Sequence, residues 1–268
     1  MTQTYREPPP PTALNAHIAC FWMQHVSEEV SGYRHRTVPN GCIEIQASLQ
    51  HRRIAVIGPH QRARIDHLAP GAAVIGVRLR PGAADLLGVS ADEITDKRLP
   101  LEAIWGRAAT ELAEQLAEQQ SLERACTQLA LALGRRARDA ASPDPLVPKI
   151  VEALQRVSTR RVDDLAGDLF LSPRQLRRRC LIAFGCGPKA LQRVLRFQRY
   201  LALSHFQPET SLASLAIEAG YADQAHLTHD AVNLAGVPPA KLRAETRSSC
   251  GPNHDHSVSF NTVPTPTM

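Results

Sequence analysis

The apolar and polar positions of the chain change period twice. Across residues 1–100 the apolar positions come in short runs, "CIEIQASL", "RIAVIG" and "AVIGVRL", each about the length of a strand and followed by turn residues. In the first run Ile43, Ile45 and Ala47 alternate with Glu44, Gln46 and Ser48, a period of two that predicts a half-buried strand. Residues 101–138 lack proline and are rich in Ala, Leu and Glu, which predicts one or two helices. From residue 146 to 247 the period is helical. Leu146, Ile150, Val151 and Leu154 share one face, and Val162, Leu165, Ala166 and Leu169 follow at i, i+3, i+4 and i+7.

Local punctuation turns the last hundred residues into a repeated unit. "SPRQLRRRC" opens with Ser172 as a cap, Pro173 in the first turn and Gln175 three residues after the Ser, the pattern of a capping box. Two short helices joined by a tight turn predict a helix-turn-helix. The pattern then recurs. Leu212, Leu215, Ala216 and Ala219 repeat the earlier spacing behind Ser211, Gly220 ends that helix, and Asp223 caps the next, whose inner face is Leu227, Ala231 and Leu234. Between the copies Leu191, Val194, Leu195, Gln198, Leu201 and Ala202 form one stripe of a helix over 188–204, about 25 Å long at the usual rise.

The expected fold class is α+β. A mostly β N-terminal domain with following helices occupies residues 1–140, the Pro-rich "ASPDPLVP" makes a linker at 141–148, and an all-α domain of two helix-turn-helix units joined by a linker helix fills 149–247. The aperiodic tail 248–268 is expected to be disordered.

Charge sharpens this division. The net charge of +5 is not spread evenly. Residues 1–142 hold 16 Lys/Arg against 15 Asp/Glu, whereas 143–247 hold 15 against 10, so the excess of base lies in the helical region and suits a polyanion partner. No apolar run reaches the length of a membrane span and the N-terminus lacks the apolar core of a signal peptide, so a cytoplasmic protein is expected. The six cysteines, at 20, 42, 126, 180, 186 and 250, include no C-x-x-C pair, and reduced, buried thiols are expected. The eleven histidines show no metal-binding spacing, so neither metal nor cofactor is expected.

The segments "LAGDLFLSPRQLRRRC", "GPKALQRVLRFQRYLALS" and "LAIEAGYADQAHLTHDAVNLAGVPPAKLR" resemble the DNA-binding domain of the AraC/XylS family of transcription regulators over residues 146–247. "VPNGCIEI", "VIGVRLRPGAADLLGV" and "DEITDKRLPLEAIWG" resemble the N-terminal half of one AraC-like subgroup. The resemblance implies a sequence-specific regulator with double-stranded DNA and RNA polymerase as partners. It further implies a small-molecule effector for the N-terminal domain and a homodimer as the assembly.

Within such a domain the outward positions near each recognition-helix N-terminus face base edges. In the first copy these are Arg174, Gln175, Arg177 and Arg178, in the second Gln224, Ala225, Thr228 and His229. Arginine can hold guanine through two bonds and Gln can do so with adenine. Arg193, Arg196 and Arg199 of the linker helix are expected to be divided between phosphate contact and plain exposure. The sequence departs from the family at Cys180 and Ala231, where a core Phe is usual, at His229, where an Arg is common, and at Phe170, where a turn Gly is common. These departures make the first copy the expected main reader of bases. For a ligand in the N-terminal domain the expected residues are Trp22, Tyr33, Glu44 and Arg78, with His25 and Arg80 beside them.

Other functions remain open at this stage. A DNA-repair alkyl acceptor would need thiolates clustered on zinc, and Cys20 and Cys42 stand 22 residues apart. A hydrolase would show a G-x-S-x-G elbow, which is absent. A thiol sensor would use Cys180 and Cys186.

Overall fold

The computed structural model describes residues 3–29, 33–156 and 162–249. Eight strands follow in chain order: β1 (Gln3–Arg6), β2 (Ile18–Val26), β3 (Tyr33–Thr37), β4 (Glu44–Ser48), β5 (Arg53–Ile57), β6 (Arg64–Leu68), β7 (Ala73–Leu79) and β8 (Arg98–Pro100). Six make an antiparallel sheet in the order β1-β2-β7-β4-β5-β8, and β3 pairs with β6 as a separate ribbon.

The period of two gives this sheet one apolar and one polar face. Phe21, Met23, Ile45, Ala47, Ile75 and Val77 join a core with Leu112 and Leu116 of α2 (Arg107–Ala117) and Leu129 and Leu133 of α3 (Leu122–Asp139). A short helix, α1 (Glu102–Trp105), turns into α2 through Gly106. The opposite face carries Trp22, Gln24, Glu44, Gln46 and Arg78, and it shares a cavity of about 40 Å³ with His35, Thr37, Arg64 and Asp66 of the ribbon. The strand expected to be half-buried is therefore covered on both sides, and Glu44 is only 8% exposed. Register explains how a charge survives there: β4 and β7 place Glu44 directly opposite Arg78 and Ile45 opposite Val77. The Arg78 Nε bonds Glu44 at 2.9 Å and its Nη1 reaches Glu7 at 3.3 Å. Burial opposes the Arg78 charge, but the Glu44 and Glu7 side chains beside it hold the guanidinium protonated.

The second half is all helix: α4 (Leu146–Arg156), α5 (Val162–Asp168), α6 (Pro173–Phe184), α7 (Pro188–Phe206), α8 (Leu212–Ala219), α9 (Gln224–Ala235) and α10 (Pro239–Ser249). It has two cores, not one. Leu191 and Leu195 of α7 pack with α4, α5 and α6, whereas Val194, Phe197 and Tyr200 pack with α8, α9 and α10. The single stripe expected for α7 is thus corrected to two: Phe197 and Tyr200 are buried, and Leu201 and Ala202 are only half-buried. In α4, Val147 joins Ile150, Val151 and Leu154 in the core and Leu146 is left at its edge. Among the described residues no helix is long and apolar enough to cross a membrane. The tail expected to be disordered lies, from residue 250, outside the described residues.

Gly76 on β7 exists to admit the Trp22 ring, since a Cβ there would lie 2.3 Å from the ring carbons. Gly76→Ala is expected to lower stability by about 1–3 kcal/mol, the usual cost of overpacking. Urea unfolding followed by tryptophan fluorescence reads it, and an unchanged midpoint would mean that the ring relocates freely.

Candidate nucleic-acid interface

The helix pairs α5/α6 and α8/α9 are built alike, with one more residue between the turn and the cap in the second copy. Each turn places one residue in the left-handed region, Phe170 at φ 56° and Gly220 at φ 93°. Each is closed by the same bond, Leu171 N–H to Ala166 O at 2.8 Å and Tyr221 N–H to Ala216 O at 2.9 Å. The Ser172 hydroxyl accepts from Gln175 N–H at 3.2 Å and Gln175 Oε1 accepts from Ser172 N–H at 2.8 Å, which completes the capping box. In the second copy Asp223 accepts from His226 N–H at 2.7 Å. Both second helices end on a left-handed glycine, Gly185 and Gly236.

The inner faces are Leu176, Cys180, Ala183 and Phe184 in α6, and Leu227, Asp230, Ala231, Leu234 and Ala235 in α9. Cys180 and Ala231, the small residues at positions where the family commonly has Phe, are fully buried. Phe184 is buried in the first core, and Phe197, Tyr200 and Tyr221 are buried in the second.

Arg174, Gln175, Arg177 and Arg178 are all exposed along α6. The Gln175 side-chain oxygen is occupied by the cap, which leaves the three arginines as the free basic face. Along α9 Gln224, Ala225 and His229 are exposed, and the Thr228 hydroxyl bonds back to Gln224 O at 2.8 Å. Arg193 and Arg196 of α7, expected as phosphate contacts or as freely exposed, are both drawn to Asp230, at 3.1 and 3.0 Å. Arg196 also lies over the Tyr221 ring, 4.5 Å from its centroid. Asp230 was not legible as an anchor in the sequence, because its position reads as part of the outward polar face. A periodic inner face through Leu227, Ala231 and Leu234 was the one available signal.

Of the expected ligand residues, Trp22, Glu44 and Arg78 do converge on one cavity, while Tyr33 does not line it. His25 is exposed, and Arg80 donates to Asn15 O at 2.6 Å. At about 40 Å³ that cavity has room for little more than a water or two. A larger one, about 240 Å³, opens between the two halves, with His60, Arg62 and Thr95 on one side and Phe184, Leu191, Val194 and Asn233 on the other. Burial lowers the His60 imidazole below its usual value, so it is neutral at pH 7. Burial pushes Cys20, Cys42 and Cys180 up to about 12 and Cys186 up to about 11, so these thiols stay protonated and unreactive.

Comparison with known proteins meets this geometry at the domain level. Residues 165–245 match the family model described as "Helix-turn-helix domain", and residues 6–100 match "Domain of unknown function (DUF6597)". No curated protein matches the chain. Among solved structures, ToxT from Vibrio cholerae is similar at 12% identity over 91% of this chain and 98% of that one, with a TM-score of 0.44. Its unsaturated fatty acid-bound form is similar at 10% identity over 90% of this chain and 94% of that one, with a TM-score of 0.42. The duplicated motif and its family match define a class of helix-turn-helix domain. Within that class the chain carries an AraC-type helix-turn-helix domain at 165–245, behind an N-terminal domain of the DUF6597 kind.

Two substitutions test the packing of this site. Asp230→Ala leaves Arg196, only 18% exposed at its side chain, without its carboxylate, and should cost about 3 kcal/mol in urea unfolding. Phe170 is 97% exposed, so Phe170→Gly loses no packing and relieves a left-handed conformation. Its midpoint should stay level or rise by up to about 1 kcal/mol; a fall would show that the ring has a structural partner.

Proposed function

We propose that the chain reads one continuous stretch of duplex with α6 and α9 in successive major grooves. The observation that carries this reading is that both recognition helices leave their N-terminal outward residues exposed, on two bodies joined by a single helix. That helix has 19 residues and so spans about 28 Å, close to the roughly 34 Å of one duplex turn. Arg174, Arg177 and Arg178 supply most of the base contact, because each can grip guanine O6 and N7. Gln224 reads adenine from the second copy, with Ala225 and Thr228 adding shape. Arg199 and the helix N-termini meet phosphate, and Arg193 and Arg196 serve the fold through Asp230.

The effector, in this reading, occupies the cavity of about 240 Å³ lined by Arg62, Thr95, Leu191 and Asn233, and not the one inside the strands. The inner cavity is filled by its own ion pairs, whereas the larger one combines Arg62 and Asn233 with an apolar wall of Leu191 and Val194. A small amphipathic molecule there touches both halves at once, which is what differential binding to two arrangements requires.

Selection of duplexes from random-sequence DNA, followed by titration with single variants, tests the ranking of readers. Arg174→Ala and Arg178→Ala are each expected to weaken the selected duplex by about 1–3 kcal/mol and to relax preference at one or two positions. Gln224→Ala should weaken it less, and binding should fall steeply with salt. The ranking is wrong if Gln224→Ala is the more damaging change.

A further inference from the structure

The N-terminal domain meets the helical half at the C-terminal ends of both recognition helices. A helix ends in carbonyls that have no partner within it. Here those carbonyls are satisfied from across the molecule. On α6, Ala91 N–H donates to Ile182 O at 2.9 Å, and the Thr95 hydroxyl shares its one proton between Ala91 O at 2.9 Å and Gly185 O at 3.2 Å. On α9, Ala63 N–H donates to Leu234 O at 2.6 Å and Arg36 Nη1 to Ala235 O at 2.8 Å, while Arg36 Nε pairs with Glu245 of α10 at 2.8 Å.

The two grips are tied to each other. Gly58 N–H donates to Lys97 O at 3.0 Å, Asp96 N–H to Pro59 O at 2.8 Å, and Gln61 N–H to the Asp96 carboxylate at 2.9 Å. At Gly58 a Cβ would lie 1.8 Å from Ile94 O, so the two segments touch backbone to backbone. Asp96 holds a left-handed conformation, φ 57°, that Asp and Asn tolerate better than most residues. One rigid connection therefore runs from the end of α6, through 91–97 and 58–63, to the end of α9.

This matters because the two helix-turn-helix cores have no buried side chain in common and share only α7. A lone helix joining two bodies can bend. We propose that Arg36, Thr95 and Asp96 are positioning residues for DNA recognition, and that the N-terminal domain sets the separation and angle of the two recognition helices by holding their C-terminal carbonyls. The inference rests on the DNA-binding reading above and adds to it a role for residues that touch no DNA.

The test uses the full chain with Cys250→Ser and spin labels at Arg174→Cys and Gln224→Cys, the native cysteines in the described residues being buried. Thr95→Val combined with Asp96→Ala is expected to broaden the label-to-label distance distribution. Thr95 intact with Asp96→Asn, which keeps the acceptor for Gln61, is expected to retain the parental width. The same proteins, unlabelled and with Arg174 and Gln224 intact, are then titrated with the selected duplex and with versions carrying one extra base pair between the two contacted halves. The parent should lose about tenfold in affinity on insertion, and the double variant only about twofold. Parental width together with a parental insertion penalty overturns the proposal. Equal weakening on every duplex also overturns it, since that is what a merely structural role would do. If the parent selects no duplex, the DNA-binding reading itself falls, and the positioning role falls with it whatever the labels report.

Discussion

Helix α7 is buried on two opposite sides, and the rest of the helical half is arranged around that fact. An amphipathic surface helix commits one stripe to one core. Here Leu191 and Leu195 serve one core and Val194, Phe197 and Tyr200 serve the other, so a single helix supplies the floor of both motifs. Each such side chain contributes about 1.5–3 kcal/mol by leaving water. Neither motif could close its own core from two short helices and a turn. The shared helix makes them one domain.

Burial on all sides leaves few places for charge, and the structure deals with charge in the same way in both halves. Asp230 on the inner face of α9 is matched by Arg193 and Arg196, and Arg78 inside the strand domain is matched by Glu44 and Glu7. An unpaired charge in such surroundings would cost several kcal/mol, so each group requires the others to be present. In consequence, residues that look suited to binding a ligand or a phosphate are already engaged. The open functional surface is smaller than the count of basic and polar residues suggests. Among the described residues the outward face of α6, the N-terminal turn of α9, Arg199 of α7 and the space between the halves stay open.

The contacts between the halves follow a helix-end logic. Both recognition helices present free N-terminal turns to one side and hand their C-terminal carbonyls to the N-terminal domain on the other. The larger cavity lies between these two grips, with Thr95 in its wall and Arg62 and Leu234 beside the second grip. An occupant of that cavity would touch the same backbone that grips both helix ends.

Much of this was legible in the chain. The duplicated helical period, the Ser172 capping box, the Asp223 cap and the turn at Gly220 are all local features, and each appears in the structure where the residues place it. Local signals of that kind survive folding because they depend on neighbours within four residues. The alternation of Ile43, Ile45 and Ala47 with Glu44 and Gln46 announced a two-faced strand, yet not that its polar face would be roofed by β3 and β6. Arg174, Arg177 and Arg178 of α6 stood out and stay exposed in the fold, while Arg179 pairs with Asp144; Arg193 and Arg196 looked equally free until Asp230, more than thirty residues away, was brought beside them. The sequence by itself determined the elements, their caps and the duplicated plan, because those rest on short-range geometry. Only the tertiary structure decided which charges are spent on one another, which faces of α7 are buried and how the two halves grip, because those depend on which distant residues share a low-dielectric interior.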